Sequence, residues 1–342
     1  MTRSICLVSR AERALLVGLV CCLVTLGAGC GTLDQGPDAP AGETIEQSGL
    51  AAGQDNLVPG SRASNDKGFF PLDIGNHWDY TGELSVVIDG GAASVFETRQ
   101  VRSLIGTEER FGRDYVIERR FNIDEDGDTL SPYWFRYRQD RAGLYEADIA
   151  GNEPPLDGSS KAAYVGRARG GGSERMAGVW NRISRTVRSE HREAYSKAWE
   201  EVCLKLRAIE PAAGTGVRFA ALSKGPPGGV MPQEITMLKY PLHPSREWTI
   251  RDDPFYVMAA VESHEVLDLS PGMMTGYKVR IANDLFGPED WACVWYGRAG
   301  FLGSRIHVVS EILDPNGNPM GTMVVEDSLF LESLDLIRKG RL

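Results

Sequence analysis

The side chains able to do acid–base, metal or nucleophilic chemistry are few in this 342-residue chain, which holds five histidines and six cysteines. His264-Glu265-Val266-Leu267-Asp268 approaches the His-Glu-x-x-His pattern, which holds zinc because residues four apart share one helical face. Here the string sits in Val261 to Leu269, a run expected to be a strand, where that spacing does not converge. Asn122-Ile123-Asp124-Glu125-Asp126-Gly127 looks like half of a twelve-residue calcium loop, but Tyr133 stands where a bidentate Glu is required. A solvated hairpin turn is expected instead. His77 and Asp79 flank Trp78 as an acid–base pair would, yet the related positions later in the chain are Glu247 and Thr249. His191 lies on an apolar helical stripe and reads as a core histidine. No Gly-x-Ser-x-Gly elbow, Walker loop, Cys-x-x-Cys or dinucleotide fingerprint is present. No catalytic residue, metal ligand or cofactor is therefore assigned, although a triad assembled in space leaves no trace in sequence.

Two groups could instead bind. Trp78, Trp248, Trp134 and Trp291 occupy related positions in two stretches of chain, as core anchors or as the lining of an aromatic ligand groove. Arg182, Arg185 and Arg188 share one side of a predicted helix, either as a solvated face or as a contact for a partner. From Lys161 to Arg207 the local charge is +6 in a chain of net charge −10. Nucleic acid is excluded as a main partner by the acidic balance, because phosphate binding needs Lys and Arg in excess.

Export comes first among the elements that must position these residues. Arg3, Arg10 and Arg13 precede sixteen uncharged residues, Ala14 to Gly29, a run too short to span a bilayer and suited to a signal-peptide core. Leu26-Gly27-Ala28-Gly29-Cys30 resembles the lipobox of bacterial lipoproteins, which implies lipid on Cys30 after cleavage. The departure is Gly27, where Leu is commoner, and an ordinary secretory signal with an incidental cysteine is the alternative. In the Gram-negative sorting pattern Gly31, in place of Asp, implies the outer membrane. Cys203 and Cys293 then remain in the body and are expected as free thiols, with Cys203 toward the polar side of its helix. Residues 31 to 67 lack apolar periodicity and read as a tether of roughly 30–35 Å.

The body opens with Phe70-Pro71-Leu72 and Trp78-Asp79-Tyr80, and Tyr240-Pro241-Leu242 with Trp248-Thr249-Ile250 repeats the spacing. Tyr115 pairs with Tyr277 in this scheme, Trp134 with Trp291, and Arg141-Ala142-Gly143 with Arg298-Ala299-Gly300. An internal duplication is the expectation. Alternating aromatic and β-branched runs between Asp-Gly and Asn-Gly turns predict antiparallel strands in both parts. Between them Met176, Trp180, Ile183, Val187, His191, Ala194, Ala198 and Val202 recur at helical spacing, predicting one continuous amphipathic helix from about Arg175 to Ile209, closed by Pro211.

The expected fold class is α+β, predominantly antiparallel β, with two related β-rich halves and an inserted long amphipathic helix. The divisions are a signal over 1–29, lipidated Cys30 and tether over 30–68, a first repeat over 69–157, a basic insertion over 158–235 and a second repeat over 236–342. The repeated strings resemble uncharacterised bacterial envelope lipoproteins with an "FPL…G…W.Y" signature, across residues 69–150 and 237–335. Ser245 and Arg246 depart from that signature, and the resemblance implies no agreed activity. The functional expectation is a non-enzymatic, lipid-anchored envelope protein, held to a membrane by its lipid, that binds a hydrophobic ligand or an envelope protein or supports an assembly. A hydrolase built from scattered residues is the alternative.

Overall fold

Apolar and polar residues alternate with period two through most of the body, so that each strand buries one face. In the computed structural model, which describes residues 69–110, 112–147, 171–213, 234–252 and 255–337, these strands form one antiparallel sheet. The first five are β1 (His77–Ile88), β2 (Ser94–Arg110), β3 (Arg113–Ile123), β4 (Tyr133–Gln139) and β5 (Gly143–Ala147). Helices α1 (Gly171–Ile183) and α2 (Arg192–Ala213) follow. Then come β6 (Glu234–Lys239), β7 (Glu247–Arg251), β8 (Val257–Leu269), β9 (Gly272–Asn283), β10 (Trp291–Gly297), β11 (Gly300–Leu313) and β12 (Pro319–Asp335).

The strand order is β6-β5-β4-β3-β2-β1-β12-β11-β10-β9-β8-β7. Each strand lies beside its neighbour in sequence, and the first and last join along their whole length, from His77↔Asp335 to Ile88↔Met323. The result is a nearly closed twelve-stranded barrel. Its seam lies between β6 and β7, where Trp248 Nε1 donates to the Thr236 carbonyl at 3.0 Å and Arg246 donates to that of Tyr240 at 3.2 Å. This corrects the expectation of two β-rich halves. One sheet runs through both, and β6 pairs with β5 across the 235/236 boundary.

The single long helix is also corrected. It ends at Ile183, passes through a turn with a short 3-10 segment over Ser189–His191, and restarts at Arg192. His191 falls in that turn and is half-exposed, not a core residue. Pro211 does not end α2, which runs to Ala213.

The helices fill one end of the barrel, here the insertion end. Met176, Val179 and Ile183 of α1 and Ala198, Trp199, Val202, Leu206 and Ile209 of α2 are buried in the main core. Polar groups tie them to the inward face of the strands: Arg175 to Asp327 at 2.9 Å, Glu201 to the Ser310 hydroxyl at 3.0 Å, and Lys205 to the Val309 carbonyl at 2.6 Å. Turns at that end reach back, with Asp89 accepting from Tyr195 at 2.8 Å and Glu125 paired with Arg182. The opposite end is crossed by residues 69–76. Phe70 packs against Trp78 and Tyr137, and Phe69 lies between Tyr240 and Tyr277.

Related positions fall on corresponding strands. Trp78 and Trp248 are on the first strand of each set of six and point inward, while Trp134 and Trp291 are on the fourth and point outward. The pairing of Tyr115 with Tyr277 does not hold. Tyr115 stands on the outer face opposite Glu108, while Tyr277 points inward beside Val279 and Ile281.

Candidate functional site

The densest set of chemically capable groups is inside the barrel. β2 and β3 present Gln100, Arg102, Glu118, Arg120 and Asn122 inward, β5 adds Glu146, and α2 adds Glu210; all are buried. Arg120 donates through Nε to Glu118 at 2.8 Å, lies 3.8 Å from Glu210 and stacks on the Phe135 ring at 3.9 Å. Arg102 is sandwiched between the rings of Tyr80 and Phe301, at 4.5 and 4.1 Å, and donates to Gln100 at 2.7 Å. Gln100 donates in turn to Asn122 and Tyr133. Buried charges survive only when paired and hydrogen-bonded; in this lattice the Arg120–Glu118 and Arg102–Gln100 contacts meet that condition, whereas Glu210 approaches Arg120 only at 3.8 Å, beyond hydrogen-bond distance.

Its electrostatics are those of a structural network. Burial lowers the affinity of the Arg120 guanidinium for its proton, but Glu118, Tyr137 and Tyr133 more than reverse this and hold it well above the ordinary range. Burial pushes the Tyr133 hydroxyl up to about 12 and raises Tyr80, Tyr137 and Tyr296 as well, keeping all four neutral. Tyr80 donates to the Phe301 carbonyl, while Tyr133 accepts from Gln100 and Tyr137 from Arg120. No sequence pattern marked these residues. Only the alternation of Gln100, Arg102, Glu118, Arg120 and Asn122 on inward positions could have done so, as polar residues where apolar ones are expected.

A second constellation lies on the outer wall, where β1 and β2 pair. His77 stands opposite Ser103, and its Nδ1 is 2.9 Å from the Ser103 hydroxyl. The ring's Nε2 is 3.6 Å from the Asp79 carboxylate. The Ser–His–Asp types and their contact are those of nucleophilic catalysis. Asp79, however, also accepts from Arg99 at 3.1 Å and from Ser333 at 3.1 Å, so its charge is largely committed elsewhere.

The tryptophans do not form a groove. Trp78, Trp134 and Trp248 are buried, and Trp78 Nε1 donates to the Ala299 carbonyl at 2.7 Å. Trp291 is 42% exposed and stacks on His307 with rings nearly parallel. Two point inward and two outward, so the aromatic-groove reading is corrected to one of core anchors and a lone surface ring. Arg182, Arg185 and Arg188 are exposed, but only Arg182 lies on a helix, since Arg185 and Arg188 fall in the turn after α1, so the three do not share a helix face. Arg182 is engaged by Glu125 and lies over Phe96. Cys30 lies outside the described residues. Cys203 and Cys293 are free and buried. Cys203 sits in the core cluster, not toward a polar side.

The remaining motifs resolve into local structure. Asp124 Oδ1 accepts from the amides of Asp126 and Asp128, closing the β3–β4 turn. His264 and Glu265 lie on strand β8 and point to opposite faces, His264 over Tyr277 and Glu265 accepting from Trp295 Nε1.

No family model matches the chain, and no curated protein matches it. Among solved structures, a Bacteroides fragilis protein named as exported and of YmcC-like fold shares 11% identity, with a TM-score of 0.35 over 78% of this chain and 98% of that one. A protein of Parabacteroides distasonis named as a lipoprotein shares 10%, with a TM-score of 0.33 and the same coverages.

Proposed function

We propose that this chain is a lipid-anchored envelope protein that acts through its outer surface, with the barrel as a non-enzymatic scaffold for a partner or an assembly. The observation that carries this is the occupied lumen. A carrier barrel holds its ligand where this one holds Ile183, Trp199, Leu206, Ile209 and the Arg120–Glu118 pair. Anchoring rests on Leu26-Gly27-Ala28-Gly29-Cys30, and placement in the outer membrane rests on Gly31. We also read the two sets of six strands as an internal duplication. Bulges at equivalent places support it, between Leu104 and Gly106 in β2 and between Val261 and Ser263 in β8.

Native mass spectrometry of protein from its own cells tests the scaffold reading. The mature chain should carry its attached lipid and no stoichiometric free lipid, and a bound hydrophobic ligand would overturn it. Cys30→Ala should abolish fatty-acid labelling and release the protein from membranes; persistent labelling would remove the anchor from the account.

Ser103, His77 and Asp79 support a second reading, an envelope hydrolase with Ser103 as nucleophile. Fluorophosphonate labelling of the wild type, lost in Ser103→Ala, would favour it. The scaffold reading expects no labelling of either.

A further inference from the structure

The β8–β9 hairpin outgrows the barrel. β10 pairs with β9 only as far as Tyr277, and β7 pairs with β8 only from Val257 to Ala260. Ser245 and Arg246 extend that pairing by one residue, the Ser245 amide donating to the Val261 carbonyl and the Val261 amide to that of Arg246, both at 2.9 Å. The chain before them turns away, with the Arg246 amide donating back to the His243 carbonyl at 3.0 Å. Residues 263–276 are left as a two-stranded ribbon that runs on to Leu269↔Gly272. One face of the ribbon is held to the barrel: Glu265 accepts from Trp295 Nε1 at 2.9 Å, Ser270 donates to Glu332 of β12 at 2.6 Å, and Leu267, Leu269 and Met274 pack against the core. The other face carries His264, Val266 and Asp268 of β8 beside Thr275 and Met273 of β9, all exposed, Val266 to 59% and Met273 to 69%.

Backbone parity decides which groups of the ribbon lack a partner. In an antiparallel pair, alternate residues bond across the pair and the others point off its edges. The residues flanking the Ser270-Pro271 loop are the bonded kind, so Leu269, Leu267 and Glu265 bond to β9. His264, Val266 and Asp268 then direct their N–H and C=O groups off the free edge of β8, which no described strand covers. Such an edge is a template for another strand, and its own sequence says which one. Antiparallel pairing with a second β8 about Val266 sets Val266 against its own copy and His264 against Asp268 of the copy, twice, across a twofold axis. All three are bonded pairs in that register, and each histidine faces a carboxylate. A slip of two residues sets Asp268 against Val266 and loses both complements. The related free edge of β2 offers only Thr107 and Glu109, with no cation to answer the carboxylate.

We propose that the free edge of β8 pairs with β8 of a second copy of this chain, forming a twofold dimer in the register His264–Asp268, Val266–Val266. The inference deepens the scaffold reading on which it rests, naming a second copy as the partner of the outer surface. Three residue pairs make a small interface, so the dimer is a reversible one.

Sedimentation of the mature chain carrying Cys30→Ser, free of lipid, tests this apart from anchoring and ligand content, so this proposal and the scaffold reading can fail separately. The protein should pass from monomer to dimer as its concentration rises. Hydrogen exchange at His264, Val266 and Asp268 should slow in step, while Thr107 and Glu109 stay unchanged. Asp268→Arg sets a guanidinium against His264, and His264→Asp sets carboxylate against carboxylate, so each variant alone should associate on the order of tenfold more weakly. Mixed together, the two variants restore an opposite-charge pair at both positions and should regain the lost association as heterodimers. Val266→Pro removes an amide hydrogen that only the second copy uses. It should weaken association on the order of a hundredfold while keeping the melting temperature of the dilute monomer. A chain that stays monomeric at millimolar concentration, a dimer whose β8 edge amides exchange freely, or charge variants that fail to rescue each other overturns the proposal. A lower melting temperature for dilute Val266→Pro overturns it as well, because that amide would then be bonded within the chain.

Discussion

Arg120 illustrates how little a residue's type says about its role until its neighbours are known. It is a buried cation that touches Glu118, Glu210 and two aromatic rings. Removing one member of such a pair leaves the other charge buried. Arg120→Met should therefore cost about 3–5 kcal/mol in denaturant unfolding, and adding Glu118→Leu should recover part of the loss. A second network, on the outer wall, gives a pH signature. The Arg138 guanidinium holds the Glu234 carboxyl down at about 2, against desolvation that would raise it, with Arg113 and Tyr115 helping. Because the folded value is depressed, its stabilisation is complete above pH 4.5 and is lost as pH falls toward 2. Glu234→Gln should flatten that part of the acid limb by about 1 kcal/mol, the partial exposure of the site limiting the effect. The thiols give a third expectation. Burial raises Cys293 and pushes Cys203 up to about 12, so neither should react with iodoacetamide at pH 8 until the protein unfolds.

Among the elements, the apolar spacing of the insertion predicts an amphipathic unit with arginines outside; on α1 Ile183 is buried and Arg182 exposed, while Arg185 and Arg188 are exposed in the turn that follows. Its break at Ser184–His191 was not legible, because the apolar spacing continues through the turn while barrel geometry forces the reversal. The division of labour between its tryptophans was equally hidden. Trp199 is buried against the barrel, and Trp180 stacks on it from the half-exposed side at 6.0 Å. Trp199→Ala should cost about 3–5 kcal/mol and Trp180→Ala about 1–2. Arg185→Ala should stay within about 0.5 kcal/mol. Thermal melts of the three variants check the order.

For the whole molecule, the pairing of β1 with β12 matters most. It joins the ends of the described body, residues 77–88 against 323–335, so the sheet has no independent half. Far-UV circular dichroism and tryptophan fluorescence should report one coincident unfolding transition, since Trp78, Trp134, Trp199 and Trp248 are buried throughout the barrel. Two separated transitions would mean that the strand sets fold alone. Helical plugging adds to this coupling: Arg175 and Lys205 engage the adjacent strands β12 and β11, and Glu210 lies by Arg120 of β3, three strands beyond β12.

Period-two alternation, turn residues and the apolar helical stripe are local signals, and they sufficed for antiparallel strands, for the hairpin turn at Asp124 and for the presence of helix between the strand sets. The same alternation identified Val261–Leu269 as strand and so disposed of the zinc pattern at His264. Closure was decided only by tertiary structure, because strands β1 and β12 are brought together by the accumulated twist and tilt of ten others. The lattice around Arg120 depends on that closure, since Glu210 and Tyr296 approach it from elements far along the chain. The contact of His77 with Ser103 needs only the register of the β1–β2 hairpin, which pairing of the two strands fixes and residue spacing alone does not. Local periodicity sets which face of each element turns inward; which faces then meet is set by the ring they close.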